Sequence, residues 1–303
     1  MRESADIAII GMGKWGNHLL ENILKVNGLE VRYICARQAE DVELKTPASI
    51  IHDENIILKD KRIKGVVIAT QPQKHFASAS KFLRRGLKIF VEKPLTLSYR
   101  ECSHLAALAA RKTSAGIMVG NKFIYSPAIR ALKSFLIKHD IKIESISSRW
   151  LKGCAAQKAG IFFDICYHHI YLFDYLLGMR FDRLEKFATN EKGGIASSGI
   201  VILKHGRLVS SIEATYNNHF DFFDHSIRLE TDKGVFIVKE KDRKVSVYLD
   251  NKGISSLTFK HEEDRERCVE EEMEAYYRWL IGEEIPEFGP DIDCRIIRSL
   301  SKR

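Results

Sequence analysis

Through the first 120 residues, short β-branched runs alternate with longer segments of helical periodicity. Ile7-Ala8-Ile9-Ile10 reads as a buried strand, followed by a helix over Lys14 to Val26 with Leu19, Leu20, Ile23 and Leu24 on one face. Val31 to Cys35 gives a second strand, and Gly65-Val66-Val67-Ile68-Ala69 a continuous apolar run, as expected for a parallel strand covered on both faces. Lys74 to Arg85 reads as a helix stopping at Gly86, Leu87 to Val91 as a strand, Tyr99 to Lys112 as a helix and Ala115 to Val119 as a strand. This order predicts an α/β, doubly wound parallel sheet of the Rossmann type.

The rhythm changes near residue 121. A helix over Pro127 to Lys138, a strand over Ile143 to Trp150 and a helix over Phe162 to Leu177 precede a run of strands. These are Gly199 to Lys204, Leu208 to Tyr216, Ser226 to Thr231, Val235 to Lys239 and Val245 to Leu249, with Lys233-Gly234 and Asn251-Lys252-Gly253 as turns. An acidic helix over Glu262 to Ile281 closes the pattern. The expectation is a Rossmann domain over 1–122 and an α+β domain over 123–303, built on a mostly antiparallel open sheet. A chain of 303 residues agrees with two domains.

Apolar residues at 45% and charged residues at 29% exclude wholesale disorder. No apolar run is long enough to cross a bilayer, and Met1 to Asp6 lacks the features of a secretory signal. A soluble, cytoplasmic protein is expected. The six cysteines form no CxxC pair, which favours free buried thiols and no metal site. The net charge of +8 is spread along the chain, so it predicts no nucleic-acid surface and only mildly favours an anionic ligand.

Gly11-Met12-Gly13-Lys14-Trp15-Gly16 is a GxGxxG turn set directly between a strand and a helix. Its glycines allow a tight turn, close approach of a pyrophosphate and close helix–strand packing, while the helix N-terminus offers N–H groups to phosphates. The alternative is a tight turn without a ligand. An acid about 20 residues further on would favour NAD. Here Cys35-Ala36-Arg37 stands instead, leaving room for a 2′-phosphate that Arg37 could pair with. NADP is therefore preferred, with NAD possible and a solvated Arg37 as the alternative.

Two further segments follow strands at the crevice edge: Thr70-Gln71-Pro72-Gln73-Lys74-His75 and Glu92-Lys93-Pro94. A third, Asp164-Ile165-Cys166-Tyr167-His168, sets a carboxylate and an imidazole one helical turn apart. With these pieces the chain resembles the Gfo/Idh/MocA family of NAD(P)-dependent oxidoreductases, in order and over most of its length. The resemblance implies cofactor contacts from Gly11, Gly13, Lys14, Trp15, Gly16, Ala36, Arg37, Thr70, Pro72, His75, Glu92 and Lys93. It implies catalytic roles for Lys93, for His168 as general acid/base and for Asp164 beside it, and often a cis bond at Lys93–Pro94. An ammonium at Lys93 would favour the alkoxide-like charge that develops in hydride transfer. The neighbouring His169 is expected to be packed or exposed.

Two departures bear on substrate contacts. Only Gly160, after Lys158-Ala159, remains of the family's frequent glycine run, and Tyr171 stands where a second Asp is frequent. The Lys14-Trp15-Gly16 and Phe123 to Ile129 segments look most like members acting on nucleotide sugars. The resemblance thus implies hydride transfer at a secondary alcohol or ketone of a sugar or nucleotide sugar. Other readings are an NAD-dependent glycosidase of the same fold and a non-catalytic cofactor-binding regulator. It also implies a homodimer or homotetramer; Ile200, Ile202 and Val209 suit either a covered or a paired sheet.

Overall fold

The computed structural model describes residues 3–36, 47–111, 115–154, 159–192, 195–216, 223–239, 244–249, 254–257 and 264–302. Arg37, Lys112, Lys158, the 251–253 turn and Glu262 lie outside them. The chain divides into two compact units, Met1–Lys122 with Glu266–Ser301, and Phe123–Arg265 with Lys302–Arg303.

The first unit carries β1 (Ala5–Ile10), α1 (Lys14–Ile23), β2 (Leu29–Cys35), β3 (Ser49–Ile51), α2 (Asn55–Lys59), β4 (Ile63–Ile68), α3 (Pro72–Arg85), β5 (Lys88–Glu92), α4 (Tyr99–Ala110) and β6 (Gly116–Gly120). Its strands run in the order β3-β2-β1-β4-β5-β6, all parallel. Ile7, Ala8 and Ile9, Val66, Val67 and Ile68, and Ile89, Phe90 and Val91 are fully buried. Such runs lack polar alternation because helices cover both faces of the sheet. The three-residue β3 and five-residue α2 escaped the sequence reading, being too short to show a period.

The second unit carries α5 (Pro127–Lys138), β7 (Ile143–Lys152), a π-helical turn (Phe162–Cys166) leading into α6 (Tyr167–Leu177), and β8 (Arg183–Lys192), β9 (Ile195–His205), β10 (Leu208–Tyr216), β11 (Phe223–Thr231), β12 (Gly234–Lys239), β13 (Lys244–Leu249) and β14 (Ile254–Leu257). The sheet order is β14-β13-β12-β11-β7-β10-β9-β8; β7 and β10 pair in parallel and the other neighbours antiparallel. Strand β8 was not expected from sequence. It forms an edge, where charged residues such as Arg183, Glu185 and Lys186 guard against further pairing and mask the alternation.

Two expectations are corrected here. Residues 123–303 do not form a single unit, because α7 (Asp264–Leu280) and α8 (Pro290–Leu300) return to the first. Tyr276 donates its hydroxyl to the carbonyl oxygens of Val66 (3.3 Å) and Lys88 (3.0 Å), and Tyr277 to that of Glu3 (2.7 Å). Val269, Met273 and Tyr276 are fully buried with them. Nor are all six cysteines thiols: Cys102 of α4 is disulfide-bonded to Cys294 of α8, with Cα atoms 5.4 Å apart. Cys35, Cys154, Cys166 and Cys268 are free. A pair separated by 192 residues is set by helix packing, which spacing in the sequence does not show.

The α7 contact has a checkable consequence. A Cβ at Gly116 would overlap the Trp279 indole. Gly116→Ala is expected to destabilise the chain by about 1–3 kcal/mol, as overpacking does. An unchanged urea midpoint would show that Trp279 is not seated there. No helix among the described residues is long and apolar enough to cross a membrane.

Candidate active site

The glycine turn joins β1 to α1. Gly11 has φ +95°, and a Cβ there would lie 2.9 Å from the backbone of Ala69. A Cβ at Gly16 would fall inside the carbonyl oxygen of Gly11. Gly13, in contrast, meets no other part of the described residues within 4 Å of its Cβ position. It caps α1 in an extended conformation, and no side chain caps the helix. The first N–H groups of Lys14, Trp15 and Gly16 thus meet the requirements of a phosphate cradle.

Polar atoms at the neighbouring strand ends fit a polar ligand as well. Thr70 Oγ1, after β4, and both side-chain amide atoms of Asn121, after β6, are buried without a hydrogen-bond partner among the described residues. Buried polar atoms are nearly always satisfied, so their lack of a partner marks a place for a bound group. A dinucleotide fits these residues. Asn121 was absent from the sequence-derived set; its place after a parallel strand was the available signal.

Ala36 follows β2, its N–H donating to Ile51 (3.2 Å) and its carbonyl meeting His52 Nδ1 (2.7 Å). Pro72 opens α3. His75 differs from expectation: it is wholly buried, with Nε2 2.9 Å from the Thr70 carbonyl and Nδ1 3.0 Å from that of Pro94. It ties two loops together and offers no ring nitrogen to a ligand. Burial lowers its pKa, and the carbonyl contacts oppose that only in part.

Glu92 is likewise enclosed. The Trp15 indole donates to its Oε1 and the Lys93 backbone N–H to its Oε2 (3.2 Å). Trp15 thereby joins the glycine turn to the turn after β5, and the Lys122 ammonium stands over its ring, 5.0 Å from the centroid. Burial pushes the Glu92 carboxyl up to about 7. The Lys93–Pro94 bond is cis, and the Lys93 side chain is half-buried.

In the second unit Asp164 lies in the π-helical turn, a feature that recurs at functional sites, and His168 one residue into α6. Both are half-buried. Tyr216 of β10 donates its hydroxyl to Asp164 Oδ2, a partner the sequence reading missed because it lies 52 residues away. The Phe123 ring meets the His168 ring edge-on at 5.1 Å. His169 is buried, with Nε2 2.9 Å from His225 Nε2 and Nδ1 on the Ser148 hydroxyl. Burial, then His225, holds its pKa well below the usual histidine range. His169 is thus a packed, structural histidine of the second unit, whereas His168 is half-buried.

A six-stranded parallel sheet with a glycine turn open to phosphates defines the first unit as a dinucleotide-binding domain. Residues 5–121 match the model of the GFO_IDH_MocA oxidoreductase family, NAD-binding Rossmann fold. The chain is 34% identical over 110 residues to an uncharacterized oxidoreductase, YhhX, of Escherichia coli, covering 35% of this chain and 32% of the relative. It is 28% identical over 192 residues to scyllo-inositol 2-dehydrogenase (NAD(+)) of Bacillus subtilis, covering 59% of this chain and 55% of the relative. The alignments thus span between a third and about half of these relatives. The structure of UDP-N-acetylglucosamine 3-dehydrogenase GnnA from Acidithiobacillus ferrooxidans superposes with a TM-score of 0.85 at 15% identity, over 98% of this chain and 96% of that one. This likeness shows that both units share one fold with it.

Proposed function

We propose that this protein is an NAD(P)-dependent oxidoreductase acting on a secondary alcohol or ketone of a cyclic polyol or sugar, with a nucleotide sugar as the preferred substrate. The observation that carries the reading is the bond from Trp15 to Glu92, which fixes the phosphate-cradling turn and the Lys93 turn to each other in one unit. The dehydrogenase relatives support polyol or sugar chemistry, and the short segments noted above favour a nucleotide sugar.

A bound nicotinamide would supply the hydride acceptor or donor. Lys93 then stabilises the substrate oxygen as charge develops on it, a role worth about 10²–10³-fold when such a donor is removed. His168 takes up or returns the proton of that oxygen. Asp164, held by Tyr216, fixes the substrate or the imidazole. Ala36 leaves room for a 2′-phosphate, and Arg37 is assigned to pair with it. Phe187, Ile200, Ile202 and Val209 are exposed on the outer face of the second sheet, and that face is assigned to self-association.

The test is a screen of inositols, sugars and sugar nucleotides with each cofactor, followed at the reduced-nicotinamide absorbance. Substrate-dependent net oxidation or reduction is expected, with the NADP pair favoured. Release of a sugar without net cofactor change would mean the glycosidase chemistry instead, and no turnover together with tight cofactor binding would mean a regulator.

A further inference from the structure

We propose that His225 of β11 is a positioning residue: with Ser148 of β7 it holds the buried His169 and thereby fixes the π-to-α junction that carries His168. The functional half of this rests on the reading of His168 as the acid/base group given above.

The junction is held from the side rather than by its own ends. Asp164 lies in the π-helical turn and His168 one residue into α6, and no side chain among the described residues caps the start of either segment. Three neighbouring strands of the second sheet, in the order β11-β7-β10, supply the anchors. Tyr216 of β10 donates to Asp164. His169 Nδ1 meets the Ser148 hydroxyl, and its Nε2 lies 2.9 Å from His225 Nε2. Trp150 stands directly opposite His225 in the ladder, and Ser148 opposite Ile227, so Ser148, Trp150 and His225 share one face of the sheet.

The rings are arranged as a directed hydrogen bond requires. The His169 and His225 planes differ by 22° and their centroids are 4.9 Å apart. With the nitrogens closer than the centroids, the two rings meet edge to edge, near one plane. The Trp150 indole lies across both, 4.4 Å from the His225 centroid and 5.3 Å from that of His169. His169 is wholly buried, and Ser148 and His225 nearly so. A neutral imidazole carries one N–H and one bare nitrogen, and a hydroxyl both donates and accepts. The contact between the two Nε2 atoms therefore takes one hydrogen, from either ring, and Ser148 completes the chain in either direction. Without His225 a buried ring nitrogen of His169 loses its partner, a loss relieved only if the helix turns. His168 is the adjacent residue, so that turn swings its imidazole by the same angle.

Two substitutions separate the bond from the packing. His225→Phe keeps a ring against Trp150 and removes both nitrogens. His225→Gln gives up the ring and returns an amide donor and acceptor. On a substrate from the screen above, His225→Phe is expected to lower kcat about 10–100-fold, and His225→Gln to stay within about threefold of the parent. NADH affinity is expected to be unchanged in both. Parental kcat in His225→Phe overturns the proposal, as does an equal loss in the two variants. If His225→Phe does not fold, Ser148→Ala breaks the chain at its other end, and parental kcat there overturns it.

Two readouts need no turnover. In the whole chain labelled with ¹⁵N-histidine, nitrogen–nitrogen coupling across a hydrogen bond is expected between two imidazoles and is lost in His225→Phe. Amide hydrogen exchange over residues 162–172 is expected to quicken in His225→Phe and not in His225→Gln. Absence of the coupling, or exchange that His225→Phe leaves unchanged, overturns the proposal while leaving the oxidoreductase reading intact. Full activity in His168→Gln, with the coupling present, would instead remove the role of His168 and leave the anchored junction standing.

Discussion

Replacing Lys93 by Met is expected to lower kcat by about 10²–10³-fold while leaving NADH affinity unchanged. Methionine keeps the length and apolar stem of the side chain and removes only the ammonium. The bond that anchors this turn to Glu92 comes from the Lys93 backbone N–H, so the substitution leaves it in place. The loss therefore reports charge stabilisation at the substrate oxygen and not a displaced loop. Steady-state rates on a substrate found by the polyol and sugar screen, with NADH titration alongside, check it. A variant that turns over at the parental rate would take Lys93 out of the chemistry.

Gly13→Val is expected to fold with an unchanged melting temperature and to bind NADH about 100-fold more weakly, a difference of about 2.7 kcal/mol. Its φ of −73° and ψ of −176° are open to any residue, and no other part of the described residues lies within 4 Å of its Cβ position. A branched side chain would fill the approach to the first N–H groups of α1, where a pyrophosphate would be held. Gly16 makes the contrast, since a Cβ there overlaps the Gly11 carbonyl and strains the fold itself. Fluorescence titration with NADH and a thermal scan separate the two. Parental affinity in Gly13→Val would show that the turn holds no phosphate.

Much of this architecture was legible because its signals are local. The runs at Ile7, Val66 and Ile89 announce buried parallel strands, and Pro72 and Gly86 bracket α3. The same locality hid other elements. Strand β8 is an edge whose charges erase the alternation. Helix α8 carries a local signal too, Pro290 in its first turn with Ile292, Ile296, Ile297 and Leu300 at helical spacing.

The candidate site divides in the same way. Gly11, Gly13, Gly16, Thr70, Lys93, Asp164 and His168 stand out by motif, and the structure puts each at a strand end, a helix start or a π-helical turn. His75 and Glu92 lie in the same motifs but are enclosed, each holding another loop rather than facing a ligand.

The sequence by itself determined the parallel sheet, the glycine turn and the lysine that follows β5, because strand periodicity and backbone sterics act between near neighbours. Only the tertiary structure decided that α7 and α8 return to the first unit, that Cys102 meets Cys294 and that Tyr216 holds Asp164. Those pairings join residues 52 to 192 positions apart, and burial of apolar faces, which carries no memory of sequence distance, selects them.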